Sequence, residues 1–219
     1  MSGTLSVTCT APFTSPIHRV LLLPGIWMRP WTLHMLAGRL TAEGFAVRTL
    51  AYPGVFGGPD AALERLIRAL GETDAVVAHS LGGLMTLEAL RLDPELPVKR
   101  VVCLGSPLCG SSMATVLRER RFGLALGRSG DLLVQGCALP WPGRAQVGAI
   151  AGSASRGLGR VLGCFPGLND GTVGIEETQW PGLAGHVVVP ASHSGLLLSR
   201  EAARQAAHFL HHGQFAVAA

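Results

Sequence analysis

Short apolar runs rich in Val, Leu and Ala alternate along the chain with stretches whose apolar residues recur every three or four positions. The runs at 19–23, 45–50, 74–78, 98–104, 146–151 and 186–190 read as strands. The stretches at 31–43, 60–70, 81–91 and 195–211 read as helices. Leu33, Leu36, Ala37 and Leu40 share one face of the first, and Asp60 is a candidate N-cap for the second. Breakers stand between them: Pro24-Gly25, a Gly/Pro-rich loop from Pro53 to Pro59, Asp93-Pro94, and Gly105-Ser106-Pro107. Strand–helix alternation predicts an α/β fold, a mostly parallel central sheet flanked by helices. No repeat and no linker divides the chain, so 1–219 reads as a single domain. Residues 107–145 fit the alternation least. They carry Gly, Pro, two cysteines and Trp141, and read as a small cap or insertion; a plain crossover helix with loops is the alternative.

Composition narrows the classes. Of 219 residues, 48% are hydrophobic and 15% charged, which excludes a disordered chain and fits a large core. A net charge of +4 is too small to argue for nucleic acid. Arg118, Arg120, Arg121 and Arg128 form a local basic cluster, read as a solvated helix face. The sharper reading of that cluster is contact with an anionic membrane surface or an anionic substrate. The longest apolar runs, such as Val20 to Leu23, are too short to span a bilayer, and Met1 to Pro12 lacks the pattern of a secretory signal. Cys9, Cys103, Cys109, Cys137 and Cys164 are odd in number and without motif spacing, which fits reduced thiols in a cytoplasmic protein.

The chemistry gathers at strand ends. Val76-Val77-Ala78 runs into His79-Ser80, and an apolar helix pattern starts at Leu81-Gly82-Gly83. A serine on a sharp strand-to-helix turn is held as a nucleophile, and a tight turn needs small neighbours; Ala78 and Gly82 supply them. A serine hydroxyl also needs a base to take its proton and a third group to orient that base. His193 stands after the last strand, just before a helix pattern, and is the candidate base. His18, His34, His79, His186, His208, His211 and His212 compete. His79 adjoins the serine in sequence, which predicts a side chain pointing away from it. His208, His211 and His212 could share a helix face as metal ligands, but no acid or cysteine stands near them, and a solvated helix end is the simpler reading. Asn169-Asp170-Gly171 places Asp170 between serine and histidine as the orienting carboxylate, although it is also a good turn sequence. Asp131, Glu176 and Glu177 are weaker rivals. For a developing oxyanion, the Leu81 amide opens the helix, and Gly25 lets the Ile26 amide approach from the loop after the first strand.

In this order the chain resembles the α/β-hydrolase superfamily over nearly its whole length. Ala78-His79-Ser80-Leu81-Gly82 resembles the Ala-His-Ser-x-Gly elbow of small bacterial lipases, while Asn169 to Val173 and Ser192 to Leu196 resemble the acid and histidine segments of lipase-like esterases. Pro24-Gly25 stands where many relatives carry His-Gly. The resemblance implies ester hydrolysis through an acyl-enzyme on Ser80, with neither cofactor nor metal.

The expected substrate is a small-molecule ester or a lipid-like one, with transient contact at a lipid surface. Trp27, Met28, Trp31, Phe56 and Leu196 are candidates to line an acyl pocket, or else ordinary core. A thioesterase or amidase would use the same three residues. A catalytically silent binding module is the reading from another class, and the intact Ser80, Asp170 and His193 argue against it.

Overall fold

The computed structural model describes residues 16–51, 58–119, 126, 129–137, 141, 143–155 and 167–217. Six strands form one sheet: β1 (Arg19–Leu23), β2 (Ala46–Thr49), β3 (Ala75–His79), β4 (Arg100–Leu104), β5 (Gln146–Gly152) and β6 (Gly185–Val189). Their order is β2-β1-β3-β4-β5-β6, and every neighbouring pair is parallel. β3 and β4 are buried along their full length, because a parallel sheet needs crossover helices and these cover both faces.

The helices are α1 (His34–Ala42), α2 (Gly58–Leu70), α3 (Leu81–Leu92), α4 (Ser112–Glu119), α5 (Gly130–Gln135), α6 (Ile175–Thr178) and α7 (Arg200–His212). Strand alternation sorts the core into two layers. On one face Val76, Ala78, Val101, Cys103, Val147 and Ala149 pack under Leu66 and Leu70 of α2 and Leu84 and Met85 of α3. On the other, Val20, Leu22, Val77, Val102 and Ile150 meet Leu36 and Leu40 of α1 and Ala206, Phe209 and Leu210 of α7.

The expected helix at 195–211 is two pieces: a 3-10 turn over Ser194–Leu197, then α7. Ser199 makes the break. Its backbone is extended, and its hydroxyl accepts from the Ala202 amide at 3.1 Å as the N-cap of α7. At the other end of α7 the buried Arg100 donates from Nη1 to the Leu210 carbonyl at 2.6 Å, answering one of the carbonyls a helix end leaves open.

The chain passes from β1 outward to β2 and then crosses back to β3 on the other side of β1. Such a reversal lies between β1 and β3, and at their carboxyl ends open α/β sheets of this kind hold ligands. At the opposite end Asp74 ties the same two strands. Its Oδ2 accepts from the amides of His18 and Arg19 at 3.1 and 2.8 Å, and its Oδ1 from Arg19 Nη2 at 2.9 Å.

Candidate active site

Ser80 sits between β3 and α3 with φ 54° and ψ −122°. A non-glycine residue is strained there, at a cost of about 1–3 kcal/mol. Its hydroxyl makes no capping bond to α3, so helix capping does not account for a serine at this turn. The surroundings hold the strain. Ser80 N donates to the Leu104 carbonyl at 2.9 Å, and Ala78 is fully buried in register between Leu23 and Cys103. Gly82 is required by contact, because a Cβ there would lie 2.8 Å from the Pro24 carbonyl oxygen and 3.1 Å from that of Leu23. The first turn of α3 therefore rests directly on the end of β1.

Asp170 and His193 meet. Asp170 is 1% exposed, and its Oδ2 lies 2.7 Å from His193 Nδ1. Its other oxygen accepts from the amides of Thr172 and Val173 at 2.9 and 2.7 Å, which fixes the carboxylate plane. Since a carboxylate accepts, Nδ1 carries the proton and Nε2 is left as the basic nitrogen. The His193 amide donates to the Asp170 carbonyl at 2.9 Å, so acid and base segments are joined through backbone as well as side chain.

Gly105 makes room for this pair, and the sequence motifs do not point to it. Its φ is +55°, and a Cβ there would lie 3.1 Å from both Asp170 Oδ2 and His193 Nδ1 and 2.9 Å from Leu196 Cδ1. The signal available was the position itself, a glycine directly after a buried strand.

His79 packs on His193, a contact that the sequence does not point to. Its ring is 1% exposed and tilts against that of His193, with centroids 4.5 Å apart. Its Nε2 lies 3.0 Å from the His193 carbonyl oxygen. Alternation explains this: Ala75, Val77 and His79 face the layer that holds α7 and Leu196. Burial first, and then the charge of His193, push the His79 imidazole down to about 3, so it stays neutral at any working pH.

The loop after β1 borders the serine. A Cβ on Gly25 would lie 3.0 Å from Ser80 Cβ, 2.9 Å from His79 Nδ1 and 3.4 Å from Met28 Sδ. Ile26 and Met28 are half-buried, and Trp27 adopts φ 61°, sharing with Ser80 the positive-φ backbone otherwise confined to glycine among the described residues. The pocket candidates divide. Leu196 is fully buried in the core beside Gly105, while Trp27 and Trp31 are 61% and 72% exposed, and Phe56 lies outside the described residues.

The rival residues are engaged elsewhere. Asp131 pairs with Arg118 at the surface, and Glu177 accepts from the amides of Ser112 and Gly174. His186 Nε2 meets Thr178 Oγ1 at 2.7 Å. The rings of His208 and His212 lie 4.4 Å apart, tilted by 48°, at the end of α7, and no group of metal-ligating side chains is present among the described residues. Arg120, Arg121, Arg128, Cys9 and Cys164 lie outside the described residues. Burial raises the Cys103 thiol strongly and pushes that of Cys137 up to about 12.

No protein-family model matches the sequence, and no curated protein matches it. Solved structures do. The mature form of Bacillus licheniformis lipase BlEst2 superposes with a TM-score of 0.65 at 18% identity, covering 86% of this chain and 91% of that one. A soluble variant of the Saccharomyces cerevisiae monoglyceride lipase gives 0.66 at 13% identity over 90% and 87% of the two chains. Phospholipase PlaB from Legionella pneumophila gives 0.65 at 15% identity, covering 82% of this chain and 52% of that one. A parallel six-stranded sheet covered by helices, superposing on these enzymes, establishes that the chain has the α/β-hydrolase fold.

Proposed function

We infer that the protein is a serine hydrolase of the lipase and esterase type, cleaving carboxylic esters through an acyl-enzyme on Ser80. The observation that carries this reading is the 2.7 Å Asp170–His193 bond, whose imidazole packs at 4.5 Å on the ring of His79, the residue before a serine held on a strained turn. In this mechanism His193 Nε2 takes the Ser80 proton as Oγ attacks the ester carbonyl, and Asp170 stabilises the imidazolium that results. The amides of Leu81, at the positive end of α3, and Ile26 receive the oxyanion. The imidazolium then protonates the departing alcohol, and water attacks the acyl-enzyme by the same route to release the acid.

The solved structures it resembles bear the names lipase, phospholipase and monoglyceride lipase, which supports an ester of lipid character. The exposed Trp27, Trp31 and Met35, on and just after the β1 loop, suit a rim that touches a lipid surface, since Trp favours the membrane–water boundary. No described helix is long and apolar enough to cross a membrane.

Ser80→Ala tests the reading. Turnover of a p-nitrophenyl ester is expected to fall by about 10⁴-fold or more, with the far-ultraviolet circular dichroism unchanged; retained turnover in the purified variant sinks the assignment. A p-nitrophenyl series of increasing acyl length then separates lipase from esterase, and sustained rates on long chains are the expected outcome.

A further inference from the structure

His79 takes no part in the mechanism above, yet it is buried against the residue that does most of the proton transfer. A carbonyl oxygen only accepts, so the 3.0 Å contact from His79 Nε2 to the His193 carbonyl fixes the tautomer: Nε2 carries the hydrogen and donates. Nδ1 is then a bare acceptor, and it is buried without a partner among the described residues. The His193 segment is thereby held at both ends. Its amide is bound to the Asp170 carbonyl at 2.9 Å, its Nδ1–H to Asp170 Oδ2 at 2.7 Å, and its carbonyl to His79 at 3.0 Å. The first two bonds tie base to acid. The third ties the base to the residue adjoining the nucleophile.

Resting on the assignment of Ser80 and His193 above, we propose that His79 is a positioning residue that locks the serine elbow and the His193 loop into one unit, through its Nε2–H bond to the His193 carbonyl and the packing of its ring on the His193 imidazole. β3 is stiff, fully buried and paired on both sides, whereas the His193 segment belongs to a loop and a 3-10 turn. The bond therefore transfers the rigidity of the sheet to the base. The low proton affinity of His79 fits this role. When His193 becomes imidazolium during the reaction, its neighbour neither competes for the proton nor lets go of the carbonyl.

Two substitutions separate the bond from the shape. His79→Phe keeps an aromatic ring and replaces the orphaned Nδ1 by carbon, which limits the stability cost, but it removes the donor. His79→Gln keeps an N–H at nearly the reach of Nε2. Because misplacing a catalytic group by about 1 Å costs on the order of 100-fold, His79→Phe is expected to lower kcat by roughly 10- to 100-fold with KM little changed. Labelling of Ser80 by a fluorophosphonate should slow in proportion, and His79→Gln should recover most of both rates. A His79→Phe enzyme with the wild-type kcat, or a Gln variant as impaired as the Phe one, overturns the proposal. If the wild-type protein itself is not labelled at Ser80, it is the hydrolase reading that fails. Nitrogen-15 imidazole NMR then still decides the contact: a neutral His79 protonated on Nε2, whose removal in His79→Phe shifts the His193 signals, is expected, and a His79 protonated on Nδ1 overturns it.

Discussion

Single atoms decide the geometry around Ser80, and much of it depends on atoms that are missing. At Gly105 the backbone is in the left-handed region and the space for a side chain is taken by Asp170, His193 and Leu196. Gly105→Ala meets both obstacles. The backbone term alone costs about 1–2 kcal/mol, and relief of the contacts at 3.1 Å has to push the acid–base pair aside. Activity is expected to fall by about 100-fold while the melting temperature drops by only a few degrees. Steady-state kinetics beside a thermal melt check this, and an alanine variant of wild-type kcat would show that the pair tolerates displacement. Gly82 plays a comparable part on the other side of the serine, where the carbonyl oxygens of Leu23 and Pro24 leave no room for a methyl group.

Strands were the most readable elements. The four inner strands follow from buried apolar runs, while the edge strands β2 and β6 are largely unburied and follow from short β-rich segments between breakers; each observed boundary falls within two residues of its expected place. α4 and α5 fall in the 107–145 stretch, for which a crossover helix was only the alternative reading, and α6 was not anticipated. At 8, 6 and 4 residues they are too short for apolar periodicity to build up, and they owe their helical form to docking on neighbours and to bonds between distant segments, such as the Ser112 amide to Glu177 Oε1. Ser80, Asp170 and His193 could be singled out as candidates because each follows a strand in a characteristic local sequence, and the structure brings Asp170 and His193 together. The contacts of Gly105 and His79 were not, since they join segments 65 to 114 residues apart for which no local pattern exists.

The opposite end of the sheet offers a pH test at the same scale. Burial alone would raise the Asp74 carboxyl, but bonds from the Arg19 side chain and from the Arg19 and His18 amides, with the guanidinium charge, hold it down to about 2. A carboxylate depressed in the folded state stabilises above its unfolded value near 3.8, and that gain disappears as pH falls through 2. Because the Arg19 side chain is 55% exposed, solvent screening trims the contribution to about 1–2 kcal/mol. Asp74→Asn should lose that much at pH 7, and the deficit should shrink below about pH 4 and vanish only as pH drops below 2. Urea titrations across this range measure it, and a deficit independent of pH would rule out the ionic origin.

For the molecule as a whole, one sheet serves two cores. The α1/α7 layer and the α2/α3 layer share no helix, and each depends on β1, β3, β4 and β5 for its other wall. Disturbing either layer should therefore loosen both. Leu36→Ala and Leu66→Ala, fully or almost fully buried in opposite layers, are each expected to cost about 2–4 kcal/mol. Being far apart they should add in the double variant, and all three proteins should melt in a single transition. Two separated transitions in calorimetry would mean that the layers unfold independently.

The strained turn at Ser80 then sets stability and activity against each other. With φ at 54° the fold would gain by placing glycine there, the residue that takes such a backbone without penalty. On this reading, only the hydroxyl's chemistry opposes that change. Selection for a durable protein alone would wear the serine away, so its presence on a backbone that favours glycine records a requirement that folding itself does not impose.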